Sequence, residues 1–312
     1  MDFINVVLSA GRASVDVVLY TLIPVMVVML VFMRFLEEWG FFRLVVRYMT
    51  PLLTPFGLTG MSVFALLQMN FISFAAPMAT LALMANRGTS ERNLAAALAM
   101  TMAMGQGNVF YPMTALGLDY WQAVIISIIG GLVASSSVYY IFGRKLSKEN
   151  NYIDKTDPAK EDTGKKKNIL GIINEAGTDA IRMSAGALPM LLISLSIVYF
   201  LKEIGAITLI SSFISPFMAL FNIHDFYILP TITKYLAGGT AYMGVMTDLI
   251  NNKIASPDDL NKTAGFFINT FDLGGLAIYL GLSSRIYRLT LYIIAGTISG
   301  IIFRTFAHLI LN

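Results

Sequence analysis

The 312-residue sequence has no cysteine, two histidines and only 13% charged residues. Each scarcity closes off a chemistry. Without cysteine there can be no disulfide, thiolate metal site, iron–sulfur cluster or cysteine nucleophile. His224 and His308 are far apart and lack ligand-like neighbours. Both read as loop or helix-end residues, and neither a metal nor another cofactor is expected. No GxSxG, HExxH, Walker A or GxGxxG pattern occurs, so nothing argues for an enzyme. The net charge of +3 comes mainly from one segment and gives nucleic-acid binding no support. The N-terminal stretch MDFINVVLSAGRASVD lacks the basic region and cleavage site of a secretory signal, so insertion without cleavage is expected.

What the chain has in excess is apolar residues, at 56%, with a mean hydropathy of +0.69. Soluble chains are nearer half apolar and about a quarter charged. Residues 19–33, 121–143 and 188–201 contain no charge. With their flanks they reach the roughly 20 helical residues that cross a hydrocarbon core. Such runs recur along the chain, which predicts an all-α, multi-pass protein of a cell (inner) membrane, with the lipid bilayer as its first partner.

Residues 144–167, RKLSKENNYIDKTDPAKEDTGKKK, are polar and mixed in charge and read as a solvated linker over 144–168. It divides a first repeat, 1–143, from a second, 169–312. Pro24 matches Pro189, Glu38 matches Glu203, Gly40 matches Gly205 and Pro51 matches Pro216, all at a step of 165. Leu116-Gly117-Leu118 matches Leu280-Gly281-Leu282 at 164. Prolines and glycines mark breaks and turns, so a constant step between them points to duplication. The first half reads as apolar elements at 13–36, 41–56, 60–86, 92–115 and 121–143. The second reads as 184–202, 205–221, 226–250, 262–281 and 288–310, after an amphipathic stretch at 169–183. The short, proline-bearing second element of each half is either a steep span or a re-entrant piece.

The basic linker is expected on the cytoplasmic side. Five crossings counted backward put Arg34, Arg43, Arg47, Arg87 and Arg92 there too. The loops at 56–60 and 117–120, which lack Lys and Arg, then fall outside. An odd count makes the repeats inverted and both termini external. Arg285 and Arg288 fit this scheme, whereas Lys202, Lys253 and Lys262 run against it. Inverted repeats are a design of secondary transporters, whose site lies between the repeats at mid-membrane.

The third and fourth elements of each half are interrupted by polar and small residues. Such breaks are tolerated in a bilayer only when buried in protein or lining a polar cavity, although glycine also serves close helix packing. The candidate solute-binding residues are therefore Gln68, Asn70, Ser73, Gln106 and Asn108 in the first half. In the second they are Thr233, Gly238, Gly239, Thr240, Asn269 and Thr270. At the step of 164, Lys234 corresponds to Asn70 and Asp272 to Asn108. A lone charge at the bilayer centre costs about 2.5–3.5 kcal/mol. Lys234 and Asp272 should thus pair or share a ligand, as an ion-coupling pair or as a salt bridge that fixes register.

Four segments carry a resemblance: QMNFISFAAPMATLALM, MGQGNVFYPMTALG, TKYLAGGTAYMGVM and NTFDLGG. Together they resemble the nucleoside recognition, or Gate, domain family, as a fusion of two domains like those of spore maturation proteins A and B. The concentrative nucleoside transporters are more distant relatives. The resemblance implies a transport-type fold of two inverted repeats of about five transmembrane or re-entrant helices each, broken at the membrane centre. It also implies a nucleoside-like ligand. The expected function is a secondary transporter or exporter of a small polar solute. Lacking an ATP-binding motif, it would be driven by a gradient, with Na⁺ and H⁺ as the candidate ions. The alternative is a non-transporting membrane component with a structural or assembly role in envelope or spore development. A homo-oligomer is compatible with either.

Overall fold

In a computed structural model of the chain, the residues described are 3–149, 168–206, 209, 212 and 224–312. Most of the linker and most of the element expected at 205–221 lie outside them. The described residues form helices and no strand.

Four of these helices are long and apolar enough to cross a membrane: Ile4–Glu38, Tyr120–Phe142, Ile169–Leu201 and Thr290–Leu311. The first comprises α1 (Phe3–Asp16), a π-helical segment (Val17–Leu22) and α2 (Ile23–Glu38). It is longer than the expected 13–36. Pro24 lacks an N–H, and a π turn stands just before it, where the Ile23 amide bonds the Val18 carbonyl. The first helix of the second half, α9 (Ile169–Glu203), is one 35-residue helix. The amphipathic stretch expected as a separate piece at 169–183 is its first four turns. Nothing there breaks a helix, and Arg34 of α2 fixes it by donating to Asp179 at 3.2 Å.

The second element, α3 (Phe41–Leu53), is too short to span by itself and forms with the helix after it a sharply bent pair, the shape of a broken span or a re-entrant loop. Its 13 residues rise only about 20 Å. Phe42 and Val46 are buried, and Phe41, Leu44 and Tyr48 are exposed beside Arg43 and Arg47. That pattern fits a helix lying in the membrane interface. The axis then turns by 106° into the next helix.

The broken elements take two forms. Helices α4 (Gly60–Phe71) and α5 (Ala76–Asn86) fold back on each other as a hairpin. So do α10 (Ile228–Ala237) and α11 (Gly239–Asn251), reversed at Gly238, whose φ of +90° favours glycine. By contrast α6 (Glu91–Ala103) continues past its break into α7 (Gly107–Thr114), and α12 (Pro257–Phe267) into α13 (Leu273–Gly281).

Hydrogen bonds at the two ends of the bundle fix these directions. At the linker end, Arg92 donates to the Gly143 carbonyl at 2.9 Å, Asn93 to that of Gly57 at 2.8 Å, and Tyr140 to that of Pro55. Arg285, in the short α14 (Ser284–Arg288), donates to the carbonyls of Ala85 and Thr89. At the opposite end Asn261 bonds both the Asp119 amide, at 2.8 Å, and the Gly117 carbonyl, at 2.9 Å. There Tyr227 donates to Asp259 at 2.7 Å. The first hairpin therefore opens at the linker end and the second at the other.

This corrects the expected position of the 56–60 loop. Counting residues 60–86 as one crossing puts that loop opposite the linker, but a hairpin returns to its starting side. The basic residues Arg87, Arg92, Arg285 and Arg288 gather at the linker end, as expected.

Helices α8 (Tyr120–Ser136) and α15 (Thr290–Leu311) pack antiparallel to each other, and α15 runs parallel to α6. Small residues make the approach possible. A Cβ on Gly300 would stand 2.6 Å from the Gly130 carbonyl oxygen and 2.8 Å from the Ala103 Cβ. Such close backbone contact is how helices associate where water supplies no driving force.

Candidate functional site

The two hairpin tips and the two helix breaks meet at the middle of the bundle, and each break is satisfied by the other half. The end of α6 exposes carbonyls that a continuing helix would have used. The Thr270 hydroxyl donates to those of Thr101 and Met102 at 3.0 and 3.1 Å, and the Thr270 amide to Met102 at 3.2 Å. Arg304 of α15, fully buried, donates to the Ala103 carbonyl at 2.5 Å. Gln106, at the start of α7, donates to the Asn269 carbonyl at 2.8 Å.

The tips are pinned in the same way. Tyr111 donates to the Phe71 carbonyl at 2.6 Å and Tyr279 to the Phe74 carbonyl at 2.9 Å, across the first tip. Gly107 lies against the end of α4, where a Cβ would come within 2.9 Å of the Asn70 carbonyl oxygen. The second tip rests on α13. Lys234 Nζ and Asp272 Oδ2 are 2.6 Å apart, with the lysine side chain fully buried and the aspartate 7% exposed. The other oxygen of Asp272 accepts the Gly275 amide at 2.7 Å, capping α13. This carboxylate thus joins a hairpin to a broken helix.

Between these parts lies a cavity of about 380 Å³. Of the residues singled out in the sequence, Gln106, Asn108, Gly238, Gly239, Thr240, Thr270 and Asp272 line it. The others stand behind its wall. Gln68 accepts from Thr80 at 2.9 Å and braces the first hairpin. Asn70, fully buried, donates to the Leu66 carbonyl at 3.2 Å. Ser73, also buried, gives its carbonyl to Ala76 within the tip. Thr233 bonds back to Leu229 at 2.9 Å, and Asn269 spans its own turn from the Phe266 carbonyl to the Phe271 amide. Lys234 reaches the cavity only through Asp272.

The remaining wall includes Leu22, Met26, Phe74, Ser184 and Ile278, which the sequence reading did not select. Leu22 and Ser184 belong to long apolar helices with no break to draw attention to them. Ser184 is 3% exposed and its hydroxyl has no hydrogen-bond partner. Among the described residues no group of acidic or histidine side chains could hold a metal ion.

Opposed hairpins and two interrupted helices around a central, mostly apolar-walled cavity define an all-helical membrane fold. Solved structures of the concentrative nucleoside transporter CNTnw share it. Its inward-facing, substrate-bound state superposes with a TM-score of 0.69 at 14% identity, covering 94% of this chain and 75% of that one. A doubly substituted form of it in an outward-facing state gives 0.68 at 15% identity, covering 93% and 75%. A singly substituted form in an intermediate state gives 0.62 at 13%, covering 93% and 76%. No family model matches the chain, and no curated protein does.

Proposed function

We propose that the chain is a membrane transporter that carries a small polar solute in the central cavity. The observation that carries this reading is the convergence of four half-helix ends on a cavity containing one face of the buried Lys234–Asp272 pair. A brace alone has no need of a cavity. The likeness to a transporter solved in inward- and outward-facing states supports alternating access, and that neighbour's bound substrate makes nucleosides the first solutes to try. The two halves act as inverted repeats joined by the 144–168 linker, since their hairpins open at opposite ends. The clustered arginines support a cytoplasmic linker end, and an inner membrane belongs to the same reading. Asn108, Gln106, Thr240 and Thr270 hold the solute. Asp272 exchanges its bond to Lys234 for a coupling Na⁺ or H⁺ during the cycle.

Uptake into proteoliposomes tests this, using a nucleoside and sugar panel with and without Na⁺ and pH gradients. Accumulation of at least one solute, driven by one gradient, is expected. Liposomes containing folded protein that accumulate nothing under any gradient would leave only the structural role.

A further inference from the structure

We propose that the transported solute carries an anionic group, a carboxylate or a phosphate, and that the uncapped start of α11 binds it. This rests on the transporter reading and narrows its substrate class. Every helix that begins at the cavity points its N-terminus there, where the first amides of a helix lack partners and the helix dipole is positive. The four starts are not equivalent. α13 is capped by Asp272. At α5 the donors are spent, since Pro77 has no N–H and the amides of Ala76 and Met78 bond the carbonyls of Ser73 and Ala75. At α11 the first helical bond is from the Tyr242 amide to the Gly238 carbonyl, which leaves the amides of Gly239, Thr240 and Ala241 without helical acceptors. At α7 the Val109 amide bonds the Gln106 carbonyl and Gly107 is packed against the end of α4, so the free donors are those of α11, which has no side-chain cap.

A second observation is independent of the helix ends. Ser184, on α9, which packs along α11, holds a buried hydroxyl in the cavity wall with no partner among the described residues. Such a group is costly to leave unmet, and it is a donor. The one carboxylate in the wall does not oppose an anion, because Lys234 and the Gly275 amide already answer both its oxygens. Asn108 Oδ1, also unmet in this wall, is an acceptor and suits a hydroxyl elsewhere on the same solute. The glycines at the start of α11 keep side chains away from the donors. They leave a cradle of backbone N–H groups of the kind that holds anionic substrate groups at half-helix ends in transporters.

The test compares matched probes on the full chain in detergent. Binding of uridine 5′-monophosphate is set against uridine, ribose 5-phosphate against ribose, and glutarate against its diamide, by equilibrium dialysis and thermal shift. The anionic member of at least one pair should bind tenfold or more tightly. A Cβ on Gly239 would stand 3.4 Å from the Gln106 side chain, so a small side chain fits. Gly239→Asp should place a tethered carboxylate on the cradle, raise the melting temperature and abolish binding of the anionic probe, whereas Gly281→Asp, outside the cavity and with open space at its Cβ, changes neither. Neutral probes that bind as well as their anionic partners overturn the proposal and leave the transporter reading intact. Failure of every probe, charged and neutral, removes both.

Discussion

Thr270 and Met102, 168 residues apart, are joined by two hydrogen bonds, one from the Thr270 amide and one from its hydroxyl. They tie the break in one half directly to the break in the other. Thr270→Val keeps the amide bond and the side-chain volume but strips the hydroxyl from two carbonyls in a dry interior. A loss of about 1–3 kcal/mol is expected, the cost of an unmet buried polar group. It should appear as a lower melting temperature of the detergent-solubilised protein. An unchanged melting temperature would show that the hydroxyl contributes nothing to the lock.

The buried ion pair should respond asymmetrically to neutralisation. Asp272→Asn leaves the ammonium of Lys234, which has no exposure, without its acid. Lys234→Met leaves a carboxylate that faces the cavity and keeps the Gly275 amide. Removing one partner of a buried pair costs about 3–5 kcal/mol, and Asp272→Asn should lie at the upper end of that range. The double variant Lys234→Met, Asp272→Asn should fold like the parent. If it does so and still accumulates solute up a gradient, the pair is a structural brace. Equal destabilisation by the two single variants would contradict the asymmetry.

The hairpin reading of residues 60–86 can be checked by labelling, because the chain has no native cysteine. Thr54→Cys and Lys148→Cys should react with an impermeant thiol reagent from one side of the membrane and Asp258→Cys from the other. If Thr54→Cys labels from the same side as Asp258→Cys, the segment crosses once and the hairpin is wrong.

Helix contact at Gly300 leaves no room for a methyl group, since its Cβ would meet the Gly130 carbonyl and the Cβ atoms of Ala103 and Ala134. Gly300→Ala should destabilise by about 1–3 kcal/mol through overpacking, despite alanine's better helix propensity. Gly281→Ala, where a Cβ meets nothing within 4 Å, serves as the control and should be close to neutral. Matching melting temperatures for the two variants would disprove the close contact.

How much of this was legible in the sequence depends on the physics behind each element. Charge-free runs announced α8 and the long helices at 4–38 and 169–201 because a bilayer demands length and apolarity, and both can be counted. The breaks at 105–107, 238–239 and 269–275 were visible through glycine. The approach of Lys234 to Asp272 followed from the cost of a lone charge at the bilayer centre. What composition cannot encode is the direction of the chain after a break. Gly105 to Gly107 and Gly238 to Gly239 look alike as strings, yet one lets a helix continue and the other reverses it. The difference lies in a single positive φ and in what packs alongside. The misplaced 56–60 loop came from that ambiguity. Ser184 escaped notice because an isolated serine in a long apolar helix usually bonds back to its own backbone. Arg304 escaped because its partner is a carbonyl of another helix and not an acid.

The two hairpins open toward opposite ends of the molecule. Each latch is therefore reachable from one compartment only. A membrane-impermeant antibody fragment or macrocycle raised against the mouth of the second hairpin can jam that latch from its own side and leave the first untouched. The sidedness of inhibition then becomes a readout of which latch a compound holds. Under the proposed transport cycle, two blockers applied from opposite faces should hold the chain with its cavity sealed.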